Sequence, residues 1–140
     1  MLQDTGKSDR VHARHAVLKP VRPRCLNAAR SADAGRRAAS LVIDVVAKSF
    51  RVAPGALRSK RRGAADVALA RQIAMYLLHC CCELSLTEAG TIFQRDRTTV
   101  AHGCKRVEDL REDALFDWRI DRIEGSIRAF HRAILLREIA

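Results

Sequence analysis

The alternation of hydrophobic and polar residues predicts a chain built from helices. From residue 36 onward, apolar side chains recur three and four residues apart, which is the period of an amphipathic helix. No segment shows the strict alternation of a half-buried strand. Residues 1–35 lack apolar periodicity and carry Pro20, Pro23 and scattered arginines. They are expected to form a disordered basic tail, either a solvated leader or a segment attracted to phosphates.

Six helices are expected after the tail, and the first three are placed as follows. The first runs from Arg36 to about Phe50. A short second helix begins at Pro54, since proline suits a first helical turn. The third is long, is expected to be capped by Asp66, and ends near Glu83.

The last three helices are predicted from their start signals. Ser85 followed three residues later by Glu88 is a capping box, which starts a short fourth helix. The tight turn 94–96 ends in Asp96, which can cap a fifth helix, so these two helices have the shape of a helix-turn-helix. Asp113 is expected to cap a last, long helix that runs to about residue 138. The fold is therefore predicted to be an all-α helical bundle with a helix-turn-helix and a long C-terminal helix.

The fifth helix is predicted to have a core face and a free face. Val100, Cys104 and Val107 lie four and three residues apart and share one side. The other side carries donors in its first turn and cations further along, as a recognition helix in a DNA major groove requires. Its residues are Arg97, Thr98, Ala101, His102 and Lys105. The same pattern also fits a solvated helix start, whereas His102 lacks the partner nucleophile that catalysis would need.

The charge balance favours a polyanionic partner. The chain of 140 residues carries 26 basic and 16 acidic side chains, a net charge of +10. Residues 38–106 contain eleven basic and five acidic side chains, whereas residues 107–140 contain six and eight. Nucleic acid is the first candidate and an anionic membrane surface the second, but no apolar run is long enough to span a bilayer. No apolar signal segment opens the chain, so a cytoplasmic location at the nucleoid is expected.

The cysteines and a short glycine motif suggest chemistry that their spacing does not support. Cys80, Cys81 and Cys82 follow His79, but the paired spacings of zinc sites do not occur. Reduced thiols that fill the core are the favoured interpretation, with copper binding or redox sensing as the alternative. The triplet "GKS" at residues 6–8 lacks the upstream glycine of a phosphate loop. We therefore expect no metal, no cofactor and no bound nucleotide, and the chain is not predicted to be an enzyme.

Three sequence blocks together resemble a known family. They are "SKRR" (59–62), "ARQIAMYL" (70–77) and "RDRTTVAHGCKRV" (95–107). In this order and spacing they resemble the C-terminal DNA-binding domain of the bacterial replication initiator DnaA, here without that protein's ATPase domain. The resemblance covers residues 36–112, followed by the long helix 113–140. It implies a helical bundle with a basic loop and a helix-turn-helix that bind double-stranded DNA.

The resemblance also implies a role for each matching residue. Arg62 would reach the minor groove, with Lys60 and Arg61 beside it, and Arg71 and Gln72 would contact backbone phosphates. The start of the fifth helix would meet bases in the major groove, and its later basic residues would add contacts. The complete predicted DNA-binding set is Arg58, Lys60, Arg61, Arg62, Arg71, Gln72, Arg95, Asp96, Arg97, Thr98, Thr99, His102, Lys105 and Arg106.

The chain departs from the family pattern at four places. Arg97 stands where the family usually has histidine, and because arginine prefers guanine, the preferred site is expected to differ. The turn "FQRD" is one residue shorter than usual, which is expected to re-aim the recognition helix. The stretch between "SKRR" and "ARQ" is one residue longer. Gly103 replaces a usual alanine, at a cost of up to about 1 kcal/mol of helix stability.

The last helix carries a continuous apolar seam at spacings of four and three. Its members are Phe116, Ile120, Ile123, Ile127, Phe130 and Ile134. The seam is expected either to pack on the first and third helices of the same chain or to form a homodimer that places two recognition helices on two half-sites.

The combined prediction is a sequence-specific protein of double-stranded DNA. It would act as a transcriptional regulator or as a modulator at DnaA-box-like sites. The alternative is a protein-interaction adaptor, or a nucleoid-associated protein that binds DNA without strong sequence preference.

Overall fold

Six helices follow one another between residues 32 and 139, the residues that the computed structural model describes. No strand occurs in this range, which confirms the predicted all-α fold. The predicted basic tail lies outside the described residues except for residues 32–35, which form the first turn of the first helix. The helices are α1 (Ala32–Phe50), α2 (Pro54–Arg58), α3 (Ala65–Cys81), α4 (Leu86–Phe93), α5 (Arg97–Leu110) and α6 (Ala114–Ile139).

Helix α3 is the centre of the bundle. Leu77 and Leu78 lie on different sides of this helix and are both fully buried, because α3 packs against α1, α4, α5 and α6. A helix that is apolar on most of its circumference is typical of a buried central element. Helix α1 contributes Val42, Ile43 and Val46 to the same core. The helix-turn-helix thus rests on a continuous apolar centre.

Four of the predicted start signals are confirmed, namely Pro54, the Ser85 capping box, Asp96 and Asp113, whereas the cap predicted at Asp66 is wrong. Ser85 and Glu88 form the reciprocal capping box, with Glu88 N–H donating to Ser85 Oγ over 3.0 Å. The carboxylate of Asp113 accepts from the N–H of Phe116 over 2.9 Å. Helix α3, however, begins after Ala64, which provides no side-chain cap, and Asp66 lies in its first turn. A cap contributes only about 1 kcal/mol, so tertiary packing of α3 can outweigh it.

Arg111 fastens the end of α5 to two other helices. It is the C-cap of α5 and only 1% exposed. Its Nε donates to Asp117 (2.6 Å), its Nη2 to Asp121 (2.5 Å), and its Nη1 to Glu124 (2.6 Å) and to the Tyr76 hydroxyl (3.1 Å). Burial opposes the charge, but the Asp117 hydrogen bond and the nearby Tyr76 and Glu124 raise the pKa of Arg111 above its ordinary value. The guanidinium therefore stays charged inside the fold.

The seam of α6 packs mainly within the chain. Ile120, Ile123 and Ile127 are buried where α6 lies on α1 and α3, which confirms the intramolecular alternative for these positions. Phe116 packs partly against the same core. Phe130 does not follow the intramolecular alternative, because it is 57% exposed. The seam therefore leaves the core near residue 130.

The opposite side of α6 is also largely uncharged, and we call it the outer stripe. Leu115 is 74% exposed, Trp118 56% and Leu136 61%, and small residues lie between them. The guanidinium carbon of Arg122 lies 4.9 Å from the centroid of the Trp118 ring. The outer stripe consists of Leu115, Trp118, Arg122, Gly125, Ala129, Ala133 and Leu136, all exposed.

The four cysteines within residues 32–139 contribute to the core, as the sequence predicted. Cys81, Cys82 and Cys104 are buried, and Cys80 is half-buried. Burial raises the pKa of Cys80 to about 12 and that of Cys104 to about 11, so both are protonated at neutral pH. Within residues 32–139 no three His, Cys, Asp or Glu side chains are placed to hold a metal ion. In the same range no helix is both long and apolar enough to cross a membrane.

Candidate nucleic-acid interface

A close backbone approach at Gly90 shapes the turn between α4 and α5. Gln94 takes the left-handed conformation (φ 54°), and Arg95 N–H then donates to the Gly90 carbonyl over 2.8 Å. A Cβ atom at position 90 would lie 2.4 Å from the Arg95 carbonyl oxygen, so a side chain cannot fit without moving the turn. Gly90 is not among the residues that the sequence pattern predicts to shape the site. A glycine close to a short turn between two helices was the available signal.

The recognition helix α5 has the two faces that its spacing predicts. Val100, Cys104 and Val107 are buried. Asp96 caps the helix, since its Oδ1 accepts from Thr99 N–H over 2.8 Å, and the hydrogen bonds from Thr99 lower the pKa of Asp96. The structure thus confirms the cap predicted at Asp96. The residues of the free face are exposed: Arg97, Thr98, Thr99, Ala101, His102, Lys105 and Arg106.

Gly103 allows α5 to lie close to α3. A Cβ at this position would be 3.2 Å from Gln72 Cγ and 3.2 Å from Met75 Cε, closer than ordinary van der Waals contact. The glycine therefore has a packing reason as well as a cost in helix propensity. Gln72 is partly buried, and its Oε1 is shielded from solvent without a donor among the described residues. Only its amide N–H groups remain for the phosphate contact that the resemblance implies.

The basic loop, residues 59–63, presents three exposed cations. Lys60, Arg61 and Arg62 are all exposed, and Gly63 takes the left-handed conformation (φ 74°) that turns the chain toward α3. Arg58, just before the loop, is also exposed and donates weakly to Ser40 Oγ over 3.4 Å. These four side chains of the predicted DNA-binding set are thus accessible.

Arg71, for which the resemblance implies a phosphate contact, lies inside the fold. It is 4% exposed, and burial followed by the charge of Arg95 lowers its pKa. Four hydrogen bonds direct its guanidinium to carbonyls of α2 and of the basic loop, and an arginine has five N–H donors, so at most one is left. The acceptors are Leu57 O (3.0 Å), Arg62 O (2.9 Å), Ala56 O (2.8 Å) and Arg61 O (3.1 Å). Arg71 therefore shapes the loop from inside.

Arg95 is the other predicted contact residue that turns inward. Its Nη1 donates to Phe93 O (2.9 Å) and weakly to Gln94 O (3.4 Å), inside the turn. Its Nη2 reaches the basic loop, at Ser59 O (3.1 Å) and Arg61 O (3.4 Å). These bonds bring the loop against the turn that immediately precedes α5. The exposed start of the recognition helix and the exposed loop cations consequently form one continuous surface.

This surface has the chemistry of a nucleic-acid interface. The first turn of α5 offers guanidinium and hydroxyl groups that can bond base edges, and the loop offers cations for phosphates. Asp96 is engaged in its cap, and the Lys105–Asp109 pair, 3.9 Å apart and exposed, leaves Lys105 accessible. Such exposed pairs contribute little energy and yield readily to another anion.

Comparison with known proteins points to one family. Residues 39–107 match the family described as the bacterial DnaA protein helix-turn-helix. The chromosomal replication initiator protein DnaA of Lachnoclostridium phytofermentans is 41% identical over 83 residues, 58% of this chain and 18% of that protein. The DnaA of Symbiobacterium thermophilum is 33% identical over 121 residues, 85% of this chain and 24% of that protein.

A solved structure supports the same relationship. The crystal structure of a DNA replication initiation factor matches with a TM-score of 0.63 at 28% identity, covering 69% of this chain and 30% of that one. The chain spans about a fifth of the length of the curated relatives it matches.

Proposed function

Because residues 39–107 belong to the bacterial DnaA helix-turn-helix family, we propose that this chain binds double-stranded DNA and reads its sequence. The observation that carries the proposal is the single surface formed by the exposed first turn of α5 and the exposed cations of the basic loop. In this mode α5 enters the major groove while the loop lies along the neighbouring minor groove or its phosphates.

Arg97 is proposed as the principal base-reading residue. It is exposed, lies in the first turn of α5, and has a planar fork that matches the two acceptors of guanine. Thr98 and Thr99 lie beside it with methyl groups that can pack on thymine and hydroxyls that can bond bases or phosphates. The preferred site would be similar to a DnaA box but altered at the base pair that Arg97 meets.

The remaining exposed cations are proposed to supply sequence-independent affinity. Each phosphate that they neutralise releases counterions, so affinity would fall steeply with salt. These residues are Arg58, Lys60, Arg61, Arg62, Lys105 and Arg106, and the exposed side chain of His102 is proposed to add a further contact to DNA.

We propose that binding regulates transcription, or modulates the initiator by competing for DnaA-box-like sites. The comparisons reach about a fifth of the initiator's length, so its initiation activity is not carried over. A regulator needs a DNA-reading surface and a second contact, and the outer stripe of α6 offers such a contact on a helix outside the matched residues 39–107.

Selection of duplexes from a random library tests the DNA proposal directly. Wild-type protein should enrich one motif. Arg97→Ala should lose about 1–3 kcal/mol of specific binding and relax one base position. Arg132→Ala, which removes the same charge from exposed α6, is the matched control and should keep the motif. If Arg97→Ala weakened binding to all DNA sequences equally, Arg97 would not be a base-reading residue. If the wild-type protein enriched no motif from the library, sequence-specific binding would be contradicted.

A sequence-independent nucleoid protein or adaptor is the second candidate. The loop cations favour it because phosphate contacts carry no sequence information. An unenriched library together with strong, salt-sensitive binding to every duplex would support the nucleoid role. Absence of binding at low salt would favour the adaptor.

We further propose that two copies pair through the outer stripe of α6. The stripe has large residues toward both ends and small residues in the middle, and 26 residues of helix extend about 39 Å. In an antiparallel pair with its two-fold axis between residues 125 and 126, Trp118 of each copy faces Ala133 of the other. In the same register Arg122 faces Ala129, so large side chains meet small ones along the middle of the stripe, and Leu115 meets Leu136 at each end, where the two apolar side chains can bury one another.

The single tryptophan provides the assay for pairing. Trp118 is the only tryptophan of the chain, so its emission should shift to the blue as protein concentration rises and the dimer buries the ring. Sedimentation should show a dimer, and Ala133→Glu should disrupt it. Thr87→Glu, at an exposed position of α4, is the control and should leave the dimer intact. A monomer at every concentration would refute the pairing.

A further inference from the structure

Two arginines from different elements donate hydrogen bonds to the backbone of the basic loop. Arg71 rises from α3 and bonds the carbonyls of residues 56, 57, 61 and 62. Arg95 comes from the helix-turn-helix turn and bonds the carbonyls of residues 59 and 61. The carbonyl of Arg61 accepts from both. The basic loop is therefore held between the core on one side and the turn on the other.

These two arginines provide hydrogen-bond donors for backbone carbonyls that lie outside any helix. Residues 59–63 belong to no helix, so their backbone carbonyls need partners other than helical N–H groups. The planar fork of a guanidinium can serve several carbonyls at fixed angles, which a lysine ammonium cannot do as well. The two guanidinium groups also lie close enough to repel, since the charge of Arg95 helps to lower the pKa of Arg71. The Arg61 carbonyl, which accepts from both, helps to offset that repulsion.

We infer that Arg95 is a positioning residue that fixes the basic loop relative to the recognition helix, and that it does not contact DNA. The inference rests on the proposed function. Arg95 lies two residues before Arg97, the first residue of α5, so its bonds to Ser59 and Arg61 set the separation between the two reading elements. Both elements must meet their grooves at once, so the spacing held by Arg95 determines how well they fit one duplex.

A positioning role and a phosphate contact predict different effects of substituting Arg95. Both Nη atoms of Arg95 already point to carbonyl oxygens. A phosphate contact depends on charge, which lysine preserves. A carbonyl bridge depends on the fork, which lysine lacks. Arg95→Lys and Arg95→Met should therefore behave alike if Arg95 is a bridge and differently if it is a phosphate contact.

The test compares these two variants in DNA affinity, in the salt dependence of that affinity, and in the amide hydrogen exchange of the basic loop. On the duplex selected by wild-type protein, both variants should bind about 10- to 100-fold more weakly, since each loses bonds made by a charged donor. The slope of log affinity against log salt should remain that of wild type. Amide hydrogen exchange of residues 59–63 in the free protein should accelerate in both. Lys60→Ala is the control for a true phosphate contact and should lower the slope by about 1.

Three outcomes would overturn the inference. One is near-wild-type binding by Arg95→Lys, with a slope lowered by about 1 in Arg95→Met, as expected of a phosphate contact. Another is unchanged amide exchange of the loop in both variants. The third is a loss confined to one base position, which would make Arg95 a base reader. Arg95→Gln replaces Arg95→Met if circular dichroism shows that the latter does not fold.

Failure of the proposed function remains distinguishable. If wild-type protein bound no duplex, the DNA proposal would fall, whereas amide exchange in the free protein would still report whether Arg95 holds the loop.

Discussion

Replacing Arg111 with methionine is expected to destabilise the fold by about 3–5 kcal/mol. Methionine retains much of the volume of the side chain but none of its donors. The change leaves Glu124, whose side chain is 6% exposed, as a buried carboxylate without its guanidinium partner. Removal of one partner from a buried ion pair is costly because the other charge stays desolvated.

The magnitude follows from the exposure of the three carboxylates. The side chain of Asp121 is 44% exposed and can be hydrated, so it adds little. Asp117, at 17%, adds an intermediate amount, and the Tyr76 hydroxyl loses a hydrogen bond that contributes about 1 kcal/mol. Glu124 accounts for most of the loss. At about 4 °C per kcal/mol for a domain of this size, the melting temperature should fall by roughly 12–20 °C.

The effect should depend on pH with a definite sign. Burial already raises the pKa of Glu124 above its ordinary value, and Arg111 opposes that rise. Without Arg111 the folded-state pKa moves further up. Protonation of Glu124 then contributes stability that is fully present below the unfolded value, about 4.3, and is lost as pH rises through the folded value. The deficit of Arg111→Met should therefore be smaller at pH 5 than at pH 8.

Urea unfolding followed by circular dichroism measures these changes. The double variant Arg111→Met/Glu124→Gln should recover part of the loss, because its buried glutamine carries no charge. A deficit below about 1 kcal/mol, equal deficits at pH 5 and pH 8, or no recovery in the double variant would refute the assignment of the loss to a stranded Glu124.

Three further predictions concern the loop, a cap and the turn. Lys60→Ala should weaken specific and random duplexes alike and lower the salt slope by about 1 in fluorescence titrations; an unchanged slope removes Lys60 from the phosphate contacts. Ser85→Ala should cost about 0.5–2 kcal/mol in chemical denaturation, since the capping box is lost. Gly90→Ala should cost about 1–3 kcal/mol or more because its Cβ meets the Arg95 carbonyl, whereas Gly55→Ala, with open space around its Cβ, should not destabilise.

The sequence was most informative where structure is local. The Ser85–Glu88 capping box involves residues three apart, and the buried face of α5 follows from helical spacing alone. Asp66 shows the limit even of local rules. Asp66 is a favourable capping residue, but it lies two residues after the N-cap position, which Ala64 occupies. The packing of α3 places the start of the helix at Ala65.

The interface was predictable as an exposed face but not as a set of contacts. Arg71 and Arg95 matched the family pattern, yet their partners lie up to 36 residues away in the chain. The spacing of residues along the chain does not show whether an arginine side chain faces solvent or donates hydrogen bonds to backbone carbonyls within the fold. The outer stripe of α6 was also missed, because its centre consists of glycine and alanine, which mark no strong apolar pattern.

The loop held by Arg71 and Arg95 has a calorimetric consequence. Segments that order themselves only on binding add a large negative heat-capacity change to the association. Three carbonyls of the basic loop, those of Ser59, Arg61 and Arg62, already accept hydrogen bonds in the free protein. Docking to a duplex should then show only the heat-capacity change of the surfaces brought together, and Arg95→Met should make that change more negative. Titration calorimetry at several temperatures would thus measure how much of the reading surface is built before DNA arrives.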